Sequence, residues 1–276
     1  MKAKHKLPLL LRALELPRSV YYYHLANETF VIKYDIQKEL IQQIYHEHKG
    51  RYGYRRVMYA LRQHGHYLNH KTVQRLMKQL GLKSTVRPKR YSSYRGDPGI
   101  SVPHILNREF EAEQPNQKWV TDVTEFNVHG QKVYLSPVLD LFNREVVSFC
   151  VSKSVKLPLV TDMLSEAIKT LSKNEKPMLH SDQGWQYRTR ALQNILAKNG
   201  MEQSMSRKGN CLDNAVAENF FGILKTEMYH HHEFQDADEL IMRIKEYIHY
   251  YNHKRIKLKL KGLSPVEYRN QTLIAA

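Results

Sequence analysis

Residues 176–187, "KPMLHSDQGWQY", combine a short apolar run with an abrupt change to polar side chains. The run predicts a short buried strand, and Asp182 follows its carboxyl end. An isolated aspartate in this place is most often a turn former or a cap. A carboxylate at the end of a buried strand, with no cation nearby in the sequence, also suits a metal site, because the counter-charge can then be an ion. The other segments of the chain decide between these two interpretations.

The segments around this stretch alternate between strand patterns and helix patterns. Three antiparallel β-rich runs are followed by alternating helices and strands, which predicts an α/β fold with one mixed five-stranded sheet and helices packed on it. Pro137 in the second run is expected at a bulge or a local edge, because proline removes a ladder donor. The predicted strands are 118–128, 132–142, 144–152, 176–181 and 202–206, and the predicted helices are 156–172, 188–200, 214–231 and 236–255.

Two further carboxylates have the pattern of partners for Asp182. Asp122 lies in the middle of a predicted strand, where aspartate is disfavoured. Glu218 lies in a predicted helix and shares a face with Asn214 and Lys225, because seven residues turn a helix by about 700°, close to two full turns. Carboxylates brought together on a sheet repel one another unless a cation lies between them. Such hard oxygen ligands suit Mg²⁺ or Mn²⁺, and two ions ~4 Å apart can serve phosphodiester displacement.

Other polar and aromatic residues in this half of the chain have simpler interpretations. Asp140 could be a fourth ligand, but it is expected to organise the turn before the third strand. Glu125 is expected on the opposite face of the sheet from Asp122, because strand side chains alternate. Asp213 precedes a helix and is interpreted as a cap. Trp119 and Trp185 are expected to pack in the core rather than to stack on bases.

The positive charge of the chain is concentrated at its N-terminal end. The whole chain has a formal net charge of +16. Residues 1–100 contain 20 Lys and Arg against 6 Asp and Glu, a net of +14, whereas residues 101–276 have a net of +2. A charge segregated in this way indicates a surface that faces a polyanion. Nucleic acid is the leading candidate, and an anionic membrane is a poor second because no basic amphipathic anchor is apparent.

The first third of the chain has the pattern of compact basic helices. Apolar residues recur at helical spacing in 34–48, 53–65 and 69–82, and 16–25 predicts a further turn and helix. Short turns between such helices fit a helix-turn-helix, and a plain helical bundle with a solvated basic face is the alternative. Residues 83–112 have the composition of a basic linker between a helical region, 1–82, and a second domain, 113–276. The candidate DNA contacts are Arg55, Arg56, Lys71, Arg75 and Lys78.

The composition excludes several other classes of protein. No apolar run approaches the ~20 residues that span a bilayer. The N-terminal apolar run is interrupted by Arg12 and Glu15, so it makes a poor signal peptide. Two cysteines, Cys150 and Cys211, form neither a disulfide framework nor a zinc-ligand spacing. These features predict an intracellular, reduced protein.

Three motifs of the second half resemble the DDE integrase core of retroviral integrases and bacterial insertion-sequence transposases. These are "TDVTEF" (121–126), "HSDQGWQY" (180–187) and "SRKGNCLDNAVAENFFGILKTE" (206–227). The flanking segments are most similar to the B-frame product of the insertion-sequence-three family. Residues 51–84 resemble its internal helix-turn-helix, and 251–269 resemble its C-terminal signature.

The resemblance implies an RNase H-like fold and a transposase that cleaves DNA with water and then joins the freed 3′-OH to another phosphodiester. It also implies that Asp122, Asp182 and Glu218 bind the metal, that Lys225 contacts DNA and that Asn214 supports the site. The resemblance further implies two Mg²⁺ or Mn²⁺ ions as cofactors. It implies double-stranded DNA of transposon ends and target, and an upstream-frame protein of the same element, as partners. Homo-oligomers on DNA and a place at the bacterial nucleoid in the cytoplasm are implied as well. The alternative is a catalytically silent DNA-binding regulator of transposition.

Overall fold

The computed structural model divides the chain into two compact units, Met1–Thr85 and Val86–Ala276. Much of the predicted linker, 86–104 and 107–108, lies outside the described residues. None of the described helices is long and apolar enough to cross a membrane. The structure describes residues 7–85, 105–106, 109–207, 211–230 and 232–275.

The first unit is helical, as its apolar spacing predicts. Its helices are α1 (Leu7–Ala13), α2 (Arg18–Lys33), α3 (Asp35–Glu47), α4 (Tyr54–Gln63) and α5 (His70–Gln79). Val57, Leu61, Val73 and Leu76 are fully buried, so α4 and α5 pack through their apolar faces. The side chain of Asn69 caps α5 by accepting a hydrogen bond from the Lys71 N–H at 2.9 Å.

The apolar face of α3 differs from the predicted one at its start. Ile36 belongs to the apolar pattern that predicted a helix over 34–48, but it is 69% exposed. The buried positions of α3 are Ile41 and Ile44, and His48 follows them at helical spacing. Ile36 precedes Ile41 by five residues, which turn a helix by about 500°, so its side chain lies off the line of the buried residues.

The second unit contains one mixed sheet. Its strands are β1 (Lys118–Thr121), β2 (Thr124–Val128), β3 (Gln131–Asp140), β4 (Val146–Ser152), β5 (Met178–Ser181) and β6 (Gln203–Met205). β3 pairs with β1, β2 and β4 antiparallel, and β5 pairs with β1 and β6 parallel. Since β1 and β2 pair with the same strand, the order across the sheet is β4, β3, β1/β2, β5, β6, as in an RNase H-like fold.

The predicted single strand 118–128 is wrong in one respect, because it is interrupted at Asp122. Thr121 pairs with Val138 and Thr124 pairs with Leu135. The two pairings share one register, so Asp122 would lie opposite Pro137. Proline has no N–H to donate to a ladder, and the pairing stops there. The break therefore has a local cause, and it releases Asp122 from the sheet. Pro137 itself pairs with Phe149 on its other side, and a register shift follows at Val138 and Leu139.

Helices cover both faces of the sheet. Apolar residues of α6 (Pro158–Lys169) and α7 (Arg190–Lys198) pack around Trp119, Val138 and Leu179 on one face. Apolar residues of α8 (Ala215–Leu224) and α9 (Ala237–His253) pack around Val120 and Leu139 on the other. Side chains alternate along a strand, so Val120 and His180 share the α8 face. By the same parity, Asp122 and Asp182 are directed to the α8 face of the sheet.

A last helix, α10 (Pro265–Ala275), was not predicted from the sequence. It begins with a capping box. The Ser264 N–H donates to Glu267 Oε2 at 2.8 Å, and the Glu267 N–H donates back to Ser264 Oγ at 3.4 Å. Pro265 occupies the first helical position, where its missing N–H costs nothing. The pattern Ser-Pro-Val-Glu was therefore a readable signal for this helix.

Candidate metal and catalytic site

The parallel pairing of β1 with β5 brings Asp122 and Asp182 to the same edge of the sheet. Lys118 pairs with Met178 and Val120 pairs with His180, an offset of 60 residues at each position. Continued by two residues past Val120, this register sets Asp122 beside Asp182. Neighbouring strands lie ~4.8 Å apart, which is the expected spacing of the two backbones there. Both aspartates therefore directly follow the carboxyl ends of adjacent parallel strands, and the charge of Asp182 is close enough to raise the pKa of Asp122.

Backbone N–H groups orient the two aspartates. Asp122 Oδ1 accepts a hydrogen bond from the Val123 N–H at 2.8 Å, and Asp182 Oδ1 accepts one from the Gly184 N–H at 2.9 Å. A Cβ atom at Gly184 would lie 2.9 Å from Asp182 Oδ1, a contact that real Cβ atoms essentially never make. Glycine at 184 thus lets the backbone approach the carboxylate closely.

The electrostatics of the pair show that its negative charge is costly without a cation. Burial, and next the charge of Asp182, raise the pKa of Asp122 to about 7, with a further contribution from Glu218, while the Val123 N–H opposes the rise. Burial also raises the pKa of Asp182, against the hydrogen bond from the Gly184 N–H. A divalent cation between such carboxylates removes this cost and returns them to the ionised form.

Glu218 lies at the margin of the pair. It is exposed on the first turn of α8, and its effect on the pKa of Asp122 is smaller than that of Asp182. Within the described ranges, no three His, Cys, Asp or Glu side chains are close enough together to enclose a metal ion. The structure therefore brings the two aspartates together and leaves Glu218 within electrostatic reach.

Asn214 connects the start of α8 to the strand that carries Asp122. Its side chain is 4% exposed, and its Nδ2 group donates to the carbonyl oxygen of Thr121 at 3.3 Å. Its Oδ1 atom is buried and has no hydrogen-bond partner among the described residues. A buried oxygen without a donor is costly in an apolar setting, so its presence on a side chain that bonds to the residue before Asp122 fits a site that receives a cation or its bound water. The donor set at this sheet edge, made of hard oxygen atoms, thus fits Mg²⁺ or Mn²⁺.

Lys225 does not continue α8 regularly. It begins a π-helical turn, Lys225–Tyr229, and its Nζ atom lies 5.1 Å from the centre of the Phe126 ring. Single π-helical turns inside helices are frequent at functional sites. The ammonium group therefore lies over the edge of β2, which follows Asp122, rather than on a solvated helix face.

Tyr187 was not identified from the sequence, although it ends the motif that contains Asp182. Its side chain is 1% exposed, and its hydroxyl lies 3.3 Å from Thr121 Oγ1. Burial, and next the charge of Asp122, raise the pKa of the phenol. The hydroxyl of Tyr187 is therefore buried and neutral, and it lies close enough to Asp122 and Asp182 to interact with their charges. The signal was the position of the tyrosine in the same short motif as Asp182, five residues after it.

Other predictions near the site have mixed outcomes. Asp140 is a turn residue, as predicted, because it accepts a hydrogen bond from the Phe142 N–H at 2.9 Å and also pairs with Arg269. The prediction for Trp185 is wrong. Its side chain is 55% exposed at the start of a short 3-10 turn, Trp185–Arg188, whose next two residues are buried instead. Trp119 is fully buried, and Glu125 pairs with Lys132 at the surface, as the alternation of strand side chains predicts.

The predicted cap at Asp213 is wrong. Asp213 is fully buried, and its carboxylate accepts bonds from the Arg207 guanidinium at 3.0 and 3.1 Å and from the Arg207 N–H at 3.1 Å. A buried carboxylate without a charged partner costs more free energy than a helix terminus without a cap. The pair closes the segment that leads from β6 to α8, and residues 208–210 of this segment lie outside the described residues.

The candidate DNA contacts of the first unit differ in exposure. Arg55, Lys71, Arg75 and Lys78 have exposed side chains, and the last three lie on α5. Arg56 is different, because its Nη1 atom donates to the Arg51 carbonyl at 3.4 Å and its guanidinium lies 5.7 Å from the Tyr52 ring centre. The geometry of Arg56 therefore favours an internal contact.

Comparison with known proteins adds independent evidence. Integrase core domain models match residues 112–211 and 218–273, and an HTH-like domain model matches residues 33–90. The transposase InsK of insertion sequence element IS150 from Escherichia coli K12 is 57% identical over 263 residues, which cover 95% of this chain and 93% of that protein. The transposase InsF of insertion sequence IS3A from the same organism is 34% identical over 229 residues, 82% of this chain and 79% of that protein.

A transposase-like protein of Haemophilus influenzae is 52% identical over 206 residues, 75% of this chain and 95% of that protein. Among solved structures, the HTLV-2 integrase catalytic core is 19% identical with a TM-score of 0.44, over 57% of this chain and 98% of that one. The integrase core implies chemistry that depends on a divalent cation, and the HTH-like domain implies binding of DNA. Because extensive identity to named transposases accompanies both domain matches, this chain belongs to the insertion-sequence transposases of the IS150 and IS3 type, which are DDE polynucleotidyl transferases.

Proposed function

We propose that this transposase cuts the ends of an insertion sequence and joins them to target DNA through Asp122, Asp182 and Glu218. The observation that supports this most is the parallel pairing of β1 and β5, because Asp122 and Asp182 directly follow the ends of these neighbouring strands. The raised pKa of Asp122, about 7, supports it independently, because burial and the charges of Asp182 and Glu218 are its causes. Carboxylates that raise the pKa of a neighbouring carboxyl group in this way are suited to hold cations.

The proposed cofactor is a pair of Mg²⁺ ions, with Mn²⁺ as a substitute. When bound, such ions activate an attacking oxygen and stabilise the leaving one in an in-line displacement at phosphorus. Asp122 and Asp182 would hold the ions from the sheet, and Glu218 would hold them from α8. The Val123 and Gly184 N–H groups keep one oxygen of each aspartate oriented, so that the carboxylates need little reordering when ions bind.

The remaining residues of the site would bind and orient DNA. Lys225 is placed to neutralise a phosphate near the acidic site, because it lies over Phe126 on the strand that follows Asp122. Asn214 would hold the first turn of α8 against β1 through the Thr121 carbonyl. Water would attack first, at the transposon end, and the 3′-OH that it leaves would then attack a target phosphodiester.

A strand-transfer assay tests this function. The full chain is incubated with a labelled transposon-end duplex, a supercoiled target plasmid and Mn²⁺ or Mg²⁺, and the products are separated on a denaturing gel. Labelled strands joined to the target are expected with either metal and are expected to vanish with EDTA. Nicked ends without joined products would reduce the function to a nuclease, and no cleavage with any end of the element would contradict the proposal.

A catalytically silent regulator is the second candidate. The observation that favours it is that no three acidic or other metal-binding side chains of the described chain form a closed cluster. Such a protein would bind the ends of the element with high affinity and leave them uncut with either metal. The same assay, read together with a gel-shift measurement, therefore separates the two candidates.

We further propose that α5 reads DNA with its exposed basic face. Neutralising Lys71, Arg75 and Lys78 to glutamine together is expected to weaken duplex binding and to flatten its salt dependence. Each lost phosphate contact lowers the slope of log K against log salt by ~0.9, so a change of up to about 2–3 is expected. Fluorescence anisotropy with an end duplex between 50 and 200 mM salt measures both quantities.

A triple variant of equal charge on the second unit serves as the control. Lys169, Lys198 and Lys245 are exposed on α6, α7 and α9, so their change to glutamine removes the same charge from another surface. The control variant is expected to bind the end duplex with slightly changed affinity and to keep most of the slope of log K against log salt. Equal slopes for the α5 variant and the unmodified chain would show that the basic face of α5 contacts solvent and not DNA.

The domain division and the partners are proposals of the same kind. The division at Thr85 and Val86 supports a helical DNA-binding region, 1–82, followed by a basic linker, 83–112, and a catalytic core, 113–276. Because a transposon has two ends, we expect a homo-oligomer that holds both. An upstream-frame protein of the same element is the proposed additional partner, and it would raise affinity for the ends.

A further inference from the structure

His180 is a buried polar residue on the strand that leads to Asp182, and the acidic trio does not include it. It is fully buried in β5, two residues before Asp182. Its Nδ1 atom lies 2.9 Å from Ser204 Oγ on the neighbouring strand β6. Its Nε2 atom lies 2.9 Å from the Asp213 carbonyl oxygen and 3.1 Å from Ser206 Oγ.

The chemistry of these neighbours determines which ring nitrogen carries hydrogen. A carbonyl oxygen only accepts, so the contact to Asp213 requires a hydrogen on Nε2. Ser204 Oγ already accepts a bond from the Leu106 N–H at 3.1 Å. Its own hydrogen can be donated to Nδ1, so a ring with its hydrogen on Nε2 satisfies all of these contacts. Ser206 Oγ donates to the Ser181 carbonyl at 3.3 Å and can accept from the same Nε2 hydrogen.

These bonds connect the strand of Asp182 to the start of the helix of Glu218. Asp213 and Asn214 form the end of the 3-10 turn Cys211–Asn214, which leads directly into α8. Asn214 bonds to the Thr121 carbonyl, next to Asp122, and the Asp213 carbonyl bonds to His180. The origin of α8 is thus attached to both strands that carry an aspartate, once through Asn214 and once through His180.

We propose that His180 is a positioning residue for strand transfer: its Nε2 hydrogen holds the Asp213 carbonyl and so sets α8, with Glu218, against Asp182. This inference rests on the proposed role of Glu218. A leucine would fill the same space, but it would leave the Asp213 carbonyl and two serine hydroxyls without this buried partner. The bond to Asp213 matters most, because it joins β5 to the turn before α8, as the bond from Asn214 to Thr121 joins β1 to it.

Two variants separate the bond to Asp213 from the bond to Ser204. His180→Gln retains an N–H₂ group near the place of Nε2, whereas His180→Asn retains an oxygen near the place of Nδ1. His180→Leu retains neither. If His180 acts through Asp213, the Gln variant is expected to keep strand-transfer kcat within ~10-fold of the unmodified chain, while the Asn and Leu variants lose ~100-fold, as second-layer partners of metal ligands do. KM for the end duplex is expected to stay unchanged.

Leu196→Ala is the control for stability alone. Leu196 is buried in α7 on the other face of the sheet, so its truncation destabilises the core without touching the site. Thermal unfolding is recorded for all variants. If the Asn variant loses no more activity than Leu196→Ala at equal loss of stability, or if Gln and Asn lose equal activity, the proposal is wrong.

Two readouts that need no activity keep this inference separate from the proposed function. ¹⁵N chemical shifts of the His180 ring, assigned by difference from His180→Gln, are expected to show a neutral ring with hydrogen on Nε2. Amide exchange over residues 213–220 is expected to be faster in the Asn and Leu variants than in the Gln variant. A hydrogen on Nδ1, or equal exchange in all variants, contradicts the inference, whereas an unmodified chain that joins no DNA contradicts the proposed function alone.

Discussion

Replacing Asp182 with asparagine is expected to abolish Mg²⁺-dependent cleavage of a transposon-end duplex, with a loss of ~10³-fold or more. A metal-bound site supplies several kcal/mol of charge stabilisation, and each ~1.4 kcal/mol is tenfold in rate. Asparagine keeps the size of the side chain and an oxygen that can accept from the Gly184 N–H. The loss would therefore report the missing charge rather than a collapsed turn. Single-turnover cleavage measures it.

The same variant is expected to bind the end duplex with nearly unchanged affinity, because the basic α5 lies in the other unit. It is also expected to be more stable than the unmodified chain in EDTA, since removal of one charge relieves the pair at Asp122. Added Mg²⁺ should stabilise the unmodified chain and leave the variant unaffected.

Asp238→Asn is the matched control for this charge removal. Asp238 is 73% exposed and pairs with Lys153, so its neutralisation is expected to change neither cleavage nor metal stabilisation. An Asp182→Asn protein that nicks at the normal rate would remove Asp182 from the catalytic site. The proposed trio would then have lost its central member.

Replacing Arg255 with methionine is expected to destabilise the second unit by ~3–5 kcal/mol, because it leaves a buried charge without a partner. Arg255 is 2% exposed and donates to Glu227 Oε2 from Nε at 2.8 Å and to Oε1 from Nη2 at 2.6 Å. Tyr247 donates a further bond to Glu227 at 2.9 Å. Burial alone would lower the pKa of Arg255, but Glu227 holds it above its ordinary value. Urea unfolding measures the loss.

Arg243→Met is the control for this prediction. Arg243 has an exposed side chain and lies 3.6 Å from Glu239 and 3.2 Å from Glu246, and exposed pairs contribute only ~0–1 kcal/mol. The double variant Glu227→Gln with Arg255→Met is expected to recover part of the loss, because it removes the unpaired carboxylate. A loss below ~1 kcal/mol for Arg255→Met would show that water reaches Glu227 when its partner is absent.

The buried pair also has a consequence for the site. Glu227 belongs to the π-helical turn that begins at Lys225, and Arg255 follows the end of α9. Their bonds hold this turn against α9, and thereby hold the stem of Lys225 over Phe126. Loss of the pair is expected to disturb Lys225 before the sheet unfolds.

Periodicity in the sequence was sufficient for the secondary structure of most of this chain. The buried run before Asp182 predicted β5, and the spacing of Val57, Leu61, Val73 and Leu76 predicted α4 and α5, because these patterns need only local geometry. The sequence indicated the break at Asp122 only in part, since Pro137 predicted an irregular hydrogen-bond ladder in its own strand. Its partner strand was needed to show that proline and aspartate lie opposite each other.

The roles of several polar residues were not readable in this way. Asp213 and Asp140 precede turns or helices in the sequence and look alike, yet one is bound by Arg207 and the other by Arg269. Tryptophan is a residue type that is expected in a core, yet Trp185 is exposed. These outcomes depend on which arginine the folded chain brings to each carboxylate, or on the shape of a short turn.

The sequence by itself determined the alternation of strands and helices, the concentration of charge in residues 1–100 and the three acidic candidates, because periodicity, composition and spacing are local properties. The tertiary structure alone decided that Asp122 lies beside Asp182, that His180 reaches the turn before α8 and that Glu227 is neutralised by Arg255. Strand register and the burial of charge arise from contacts between distant segments, and no local pattern encodes them.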